Sequence, residues 1–298
     1  MQWQVSRYVI DLATPQVMGI VNVTPDSFSD GGLHASHDAA RAHCERLLRD
    51  GADILDIGGE STRPGALALS LEEELSRLLP VVRHAVTLGV PVSVDTYKPQ
   101  VMQAVLDLGA DIINDVWALR WKDAADGLEA PAVVAAHTSC GVCLMHMHRE
   151  PRTMQVAPME GDVLAQVLSF LERSTHDLRG LGVDKARICI DPGIGFGKTV
   201  AQNFALLARQ QELLSLGYPV LAGWSRKSSL AAVTQTSLAS VATLDVYDRM
   251  VPSVAAALLA VQHGASVVRV HDVKETVQAL KVWAAVRAAG NAQQQSAR

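Results

Sequence analysis

A surplus of positive charge is the first thing this chain lacks. It sets 26 Lys and Arg against 31 Asp and Glu, for a formal net charge of −5, and no basic cluster or arm interrupts it. A nucleic-acid partner is therefore not expected. Aromatic side chains are scarce at 4%, which argues against base-stacking surfaces as well. Long apolar runs are missing too: the longest candidate, Val251 to Gln262, falls short of the roughly 18 residues of a membrane span. The opening residues, Met1 to Arg7, lack the basic-then-apolar layout of a signal peptide. Four cysteines in 298 residues suggest no disulfide framework, and the expectation is a cytoplasmic protein with reduced thiols. Cys140-Gly-Val-Cys143, with His146 and His148 close behind, has the outline of a metal or redox motif. A strand pleat would split those ligands between two faces, so ordinary packed cysteines are expected.

What is present is an ordinary globular composition, 49% hydrophobic and 19% charged. Short apolar runs recur along it: 16–21, 53–57, 90–94, 110–113, 142–145, 187–190, 218–222 and 266–270. Each is followed by helical sequence, at a spacing of roughly 30 to 40 residues. Ser36 caps an amphipathic segment that reaches Arg49. Ser70 with Glu73 makes a capping box for a helix to about Leu88, with Glu72, Glu73 and Glu74 as its solvated first turn. Pro99 suits the first turn of the next helix. Residues 121–138 read as helical with a turn near Pro131, and further helices are expected over 160–181, 201–216 and 228–264, the stretch 254–261 facing the core. Asp272 and Glu275 form a capping box for the last helix, and the tail over 290–298 reads as frayed. Eight such units make a (β/α)8 TIM barrel, for which about 250 residues is typical. An open doubly wound sheet is the fallback. No linker breaks the chain, so a single domain over 1–298 is expected, with the barrel proper at about 16–285.

The polar residues fall in a telling order. Asn22, Asp95, Asn114, His146, Asp191, Lys227 and His271 lie at or just past the C-terminal ends of strands, and Arg63 lies in the loop after the second. That face carries the active site in barrels of this kind. Asp191-Pro-Gly-Ile-Gly-Phe-Gly-Lys198 resembles a phosphate-binding loop only at its tail, because Pro192 stands where the first glycine of that motif is required. The dinucleotide fingerprint fails as well, with Lys198 in place of its third glycine. Asp95, Asn114 and Asp191 are an acceptor-rich set, suited to a flat heterocycle with guanidine-like donors. Arg63, Arg269, His271 and Lys227, with Asn22, suit phosphate oxygens, and Asn22 offers a neutral oxygen to Mg2+. One substrate carrying both a donor-rich ring and an anion is implied. Asp115 is balanced between orienting its neighbourhood and touching ligand. Asp56 and Glu60 are read as structural, with a place beside Arg63 as the alternative.

Five stretches in order carry a resemblance. They are 22–32 (Asn-Val-Thr-Pro-Asp-Ser-Phe-Ser-Asp-Gly-Gly), 58–65 (Gly-Gly-Glu-Ser-Thr-Arg-Pro-Gly), 191–198, 223–227 (Gly-Trp-Ser-Arg-Lys) and 269–271 (Arg-Val-His). Together they resemble the bacterial dihydropteroate synthases, pterin-binding barrel enzymes of folate synthesis that join 4-aminobenzoate to 6-hydroxymethyl-7,8-dihydropterin pyrophosphate. The resemblance implies that Asp95, Asn114, Asp191 and Lys227 hold the pterin, with Arg269 on its face and Met145 beneath it. It implies that Asn22 with Mg2+, Thr62, Arg63, Arg269 and His271 grip the pyrophosphate. Phe28, Thr62, Pro64, Phe196, Lys227 and Ser228 would line the aminobenzoate pocket, the carboxylate seated where a helix begins near Ser228. Asp95, Arg63, Lys227 and Asn22 are the implied catalytic residues, by a dissociative route in which Asp95 stabilises a pterin-methylene cation. The glycine-rich loops after the first two strands would close over the leaving group. A homodimer is implied, with Pro252 an unusual residue in a helix near the expected contact.

Two other readings compete. A folate-dependent methyltransferase would use the Asp95, Asn114 and Asp191 face but should lack the 25–30 and 225–228 loops, and both are present. A non-catalytic pterin-binding paralogue would be expected to lose residues such as Asp26, Arg63 or Lys227, and all three are kept.

Overall fold

The computed structural model describes residues 1–23, 32–60, 68–122, 127–149, 159–234 and 247–296. Two short strands, β1 (Gln2–Val5) and β2 (Tyr8–Asp11), pair as an antiparallel hairpin. Strands and helices then alternate from β3 (Gln16–Asn22) and α1 (Gly32–Arg49) through β4 (Ile54–Gly58), α2 (Leu71–Ala85), β5 (Val92–Asp95), α3 (Pro99–Asp107), β6 (Ile112–Asp115) and α4 (Ala130–Ala136). The second half runs β7 (Gly141–Met145), α5 (Val163–Gly180), β8 (Ile188–Asp191), α6 (Val200–Ala208), β9 (Leu221–Ala222), α7 (Ser228–Thr234), α8 (Met250–Gln262), β10 (Val267–Val270) and α9 (Val273–Ser296). The parallel strands pair in the order β8-β7-β6-β5-β4-β3-β10-β9, and an Ile190–Val220 bridge joins the two ends. The chain therefore closes the expected (β/α)8 barrel.

Local signals explain most element ends. Ser70 Oγ accepts from Glu73 N at 3.2 Å while the Glu73 carboxylate accepts from Ser70 N at 3.0 Å, so the α2 capping box forms. Pro99 sits in the first turn of α3, where its missing N–H costs no hydrogen bond. Four expectations are corrected. Among the described residues the 121–138 stretch is helical over Ala130–Ala136, with Pro131 in its first turn and Lys122 bridged to Glu129 before it. Glu74 is not solvated: it is 1% exposed and pairs with Lys98. Asp272 turns its carboxylate to Arg226, at 2.6 Å from Nη2, so a tertiary partner takes the group expected at the cap of α9. Ser36 does not open its helix, because α1 already begins at Gly32. Pro252 lies in the first turn of α8, a position that tolerates it.

The hairpin was not legible in the sequence, and it plugs the base of the barrel. Trp3, Val5 and Ile10 pack against the inward residues Met18, Ile54, Ile112, Cys143, Cys189, Leu221 and Val267. Trp3 Nε1 donates to Arg187 O at 2.9 Å, pinning the plug to the start of β8. Gly141 has to be glycine here, since a Cβ would meet Val5 Cγ1 at 2.4 Å. The larger core lies between barrel and helices. Cys143 belongs to the inner cluster and Cys140 to the outer one, and all four cysteines are buried and free. That is packing, as expected. No helix among the described residues is long and apolar enough to cross a membrane.

Candidate active site

The strand pleat builds the site directly on top of that plug. Side chains two residues apart share a face, so the residues two beyond the inward layer also point inward, nearer the C-terminal mouth. Ile54 is followed by Asp56, Ile112 by Asn114, Cys143 by Met145, Cys189 by Asp191 and Val267 by Arg269. Ser93 lies opposite Asp56, and Asp95 opposite Asn114. On β4, β6, β8 and β10 one further inward position turns a dry apolar layer into a polar one, while β7 supplies Met145.

Arg269 is the hub of that layer. Its Nε donates to Asp56 Oδ2 at 2.5 Å and its Nη2 to Asp95 Oδ2 at 2.7 Å. Asp56 also accepts from Ser93 Oγ at 2.6 Å and from Asn114 Nδ2 at 3.3 Å. Burial works against the charge on Arg269, but Asp56 and Asp95 outweigh it and hold its pKa above the ordinary value. Burial pushes Asp95 up to about 7, with Arg269 pulling the other way and Asp56 adding to the rise. Asp191 is likewise raised by burial, against a 2.7 Å bond from Gly193 N and the nearby charges of Lys227, Lys198 and Arg269. Three carboxylates thus share the mouth, Asp56 and Asp95 paired to Arg269 and Asp191 held by the Gly193 amide.

The other wall is apolar. Met145, Phe196, Tyr97, Val116 and Met147 form one buried cluster, and Lys227 Nζ lies 4.4 Å over the Phe196 ring. Ser228 opens α7 immediately after Lys227. His271, just past β10, is held by Ser225: the hydroxyl accepts from His271 N at 3.1 Å and meets Nδ1 at 2.9 Å. Asn22 ends β3 opposite Gly58, partly buried. Of the residues read from the sequence, Asn22, Asp95, Asn114, Met145, Asp191, Phe196, Lys227, Ser228, Arg269 and His271 therefore fall on the C-terminal face of the barrel. Asp26, Phe28, Thr62, Arg63 and Pro64 lie outside the described residues, as do the tips of the first two loops.

Several residues take roles the sequence left open. Asp115, also pushed up to about 7 by burial, accepts from Trp117 N and Leu119 N at 2.7 Å each, so it shapes the turn after β6. Asp56 is the anchor of Arg269. Glu60 accepts from Tyr97 Oη at 2.8 Å and from Lys98 Nζ, whose other partner is Glu74. His146 faces Lys198, and burial pushes its pKa down to about 2. Only the i+2 step from Ile54 marks Asp56 as inward, and nothing in the sequence shows that its partner lies on the last strand.

Comparison with known proteins places this geometry. The pterin-binding enzyme family matches residues 18–271. A dihydropteroate synthase of Neisseria meningitidis serogroup B is 46% identical over 95% of this chain and 97% of its own length. The chain belongs to the dihydropteroate synthase family. A solved dihydropteroate synthase of Xanthomonas albilineans with 4-aminobenzoic acid is 48% identical, covering 97% of this chain and 99% of its own, with a TM-score of 0.86. That of Burkholderia cenocepacia complexed with 7,8-dihydropteroate is 46% identical over 97% and 98% of the two chains, with a TM-score of 0.84. Family members thus carry an aminobenzoate in one case and a pterin conjugate in the other.

Proposed function

We infer that the chain condenses 6-hydroxymethyl-7,8-dihydropterin pyrophosphate with 4-aminobenzoate, giving 7,8-dihydropteroate and pyrophosphate. The observation that carries this is the meeting, in one barrel mouth, of the Asp95–Asn114–Asp191 acceptor face with Arg269, Lys227 and His271. The acceptors pair with the amino-pyrimidine edge of the pterin, and the cations hold the diphosphate. Phe196, Lys227 and Ser228 then border the aminobenzoate, which approaches the methylene carbon from the open side.

In the reaction the bond between the pterin methylene and the pyrophosphate oxygen breaks, and the arylamine nitrogen forms the new bond to that carbon. The amine is neutral at pH 7, so its proton leaves after attack and no strong base is required. Asp95 stands where a positive charge on the ring and methylene is stabilised by a carboxylate, an effect worth about 10²–10³ in rate for one preorganised group. Arg269 and His271 offset the charge that develops on the leaving pyrophosphate.

Magnesium fits the donor set only in company with substrate. Among the described residues no group of three His, Cys, Asp or Glu could hold a metal. Asn22 supplies one neutral oxygen, which matches a cation that takes most of its ligands from phosphates and water. Mg2+ held by Asn22 and the diphosphate would neutralise negative charge on the leaving group. A cytoplasmic homodimer completes this reading. Incubating the purified enzyme with both substrates and Mg2+ and identifying the product by mass tests it. Dihydropteroate is the expected product, and pterin binding without product would refute the synthase reading.

A further inference from the structure

Lys198 closes the glycine loop that resembles a phosphate-binding motif, yet its ammonium is turned inward and is only 3% exposed. It donates to Gly193 O at 2.8 Å and Phe196 O at 3.2 Å within its own loop, and reaches His146 O at 3.3 Å and His146 Nδ1 at 2.9 Å at the end of β7. An ammonium has three donors and no acceptor, so four acceptors around it form a filled cage with no place for a phosphate. Burial pulls Lys198 down to about 7, with Asp191 opposing that shift. The loop backbone is pressed onto β7 as tightly as the cage requires. A Cβ on Gly193, at φ +69°, would fall 1.8 Å from His146 O.

A second buried side chain ties the same loop in the other direction. Asn203, on α6 and 1% exposed, accepts from Gly195 N at 2.9 Å. Its Nδ2 donates to Ser229 Oγ at 2.9 Å and reaches Lys198 O at 3.4 Å. Ser229 is the neighbour of Ser228 in the first turn of α7. The loop that carries Phe196 and the helix that carries Ser228 are therefore joined through one amide. Neither Lys198 nor Asn203 hydrogen-bonds the acceptor set of the pterin, which hangs on β5, β6 and β8 themselves, although the Lys198 charge lies near Asp191.

From this geometry we propose that Lys198 and Asn203 are positioning residues for the aminobenzoate half of the reaction, Lys198 seating the Phe196 loop on β7 and Asn203 setting its distance from Ser228. The proposal rests on the dihydropteroate synthase reading above. The two act in series on one loop, so their effects are coupled and appear in the affinity for 4-aminobenzoate. The Asp191 backbone keeps its place through strand pairing with Met145 and through the His146 N–Asp191 O bond of 2.9 Å, while its carboxylate accepts from Gly193 N at 2.7 Å.

Steady-state kinetics of Lys198→Met, Asn203→Leu and the double variant test the proposal, with both substrates varied. Each single variant is expected to raise KM for 4-aminobenzoate about tenfold, since a displacement of an ångström can cost up to about 10²-fold. KM for the dihydropterin pyrophosphate should stay within about twofold in Asn203→Leu and rise less than the aminobenzoate KM in Lys198→Met, whose charge lies near Asp191. The double variant should rise less than the product of the two singles. Ser229→Ala, which removes only one acceptor, should raise the aminobenzoate KM about threefold and keeps the test open if a larger change prevents folding. Equal rises in both KM values, or a lowered melting temperature with both unchanged, would reduce these residues to a structural role and overturn the proposal. Wild-type enzyme that forms no dihydropteroate would refute the functional reading itself, and the inference with it.

Discussion

Replacing Asp56 by Asn should destabilise the protein, and the amount follows from its partners. The carboxylate is fully buried and receives three donors, Ser93 Oγ, Asn114 Nδ2 and Arg269 Nε. An amide presents one accepting oxygen and one donating nitrogen, so at least one of those donors loses its acceptor. That alone costs about 1–3 kcal/mol. Arg269 also loses one of two carboxylates, where breaking a buried pair outright costs about 3–5 kcal/mol. Asp95 remains bound to Nη2 at 2.7 Å, which places the total near the lower bound, about 3 kcal/mol. For a chain of this size that corresponds to a fall in Tm of roughly 6 °C. Calorimetry on Asp56→Asn, Arg269→Met and the double variant is the assay. The double variant removes both halves of the pair, so its loss should be about 2 kcal/mol smaller than the sum of the singles. Strictly additive losses would show that Asp56 and Arg269 do not stabilise one another, and the Arg269 hub would be wrong.

Other expectations follow from the same geometry. Asp95→Asn should leave pterin affinity nearly intact, measured by titration calorimetry, while turnover falls about 10²–10³-fold. Since burial raises Asp95 to about 7, the ionised form is lost as pH falls through that value. Activity of the wild type should therefore climb with pH through an acid limb near 7 that Asp95→Asn lacks. Ser225→Ala, which strips His271 of two contacts, should lower kcat/KM for the dihydropterin pyrophosphate about tenfold, the equivalent of one hydrogen bond of about 1.4 kcal/mol. Trp3→Ala should cost about 3–5 kcal/mol of stability by emptying the barrel plug, with kcat at low temperature unchanged. Equilibrium dialysis should find stoichiometric Mg2+ on the protein only when pyrophosphate is present, and tight binding to the protein alone would contradict the role given to Asn22.

Much of this site is legible in the amino-acid sequence, because a polar residue ending a short apolar strand has few reasons to be there. Asn22, Asp95 and Asp191 each close a strand as expected. Asp56 stays hidden because it sits inside such a run, where one buried carboxylate is more often structural. Lys198 misleads by composition: its neighbours Gly197 and Thr199 are those of a phosphate loop, and only the cage of carbonyls shows the ammonium facing inward. The hairpin Gln2–Asp11 is too short for its alternation to stand out, and its apolar residues matter only against a barrel base assembled from seven distant strands. At Asp272 a local capping signal gives way to a distant arginine. The sequence carries periodicity well and long-range pairing hardly at all.

Pyrophosphate release from 6-hydroxymethyl-7,8-dihydropterin pyrophosphate, followed with Mg2+ in the presence and absence of 4-aminobenzoate, tests the central claim most directly. Release that accelerates with 4-aminobenzoate and matches dihydropteroate formed mole for mole is the predicted result. Release at the same rate without the amine, with no conjugate formed, would contradict it.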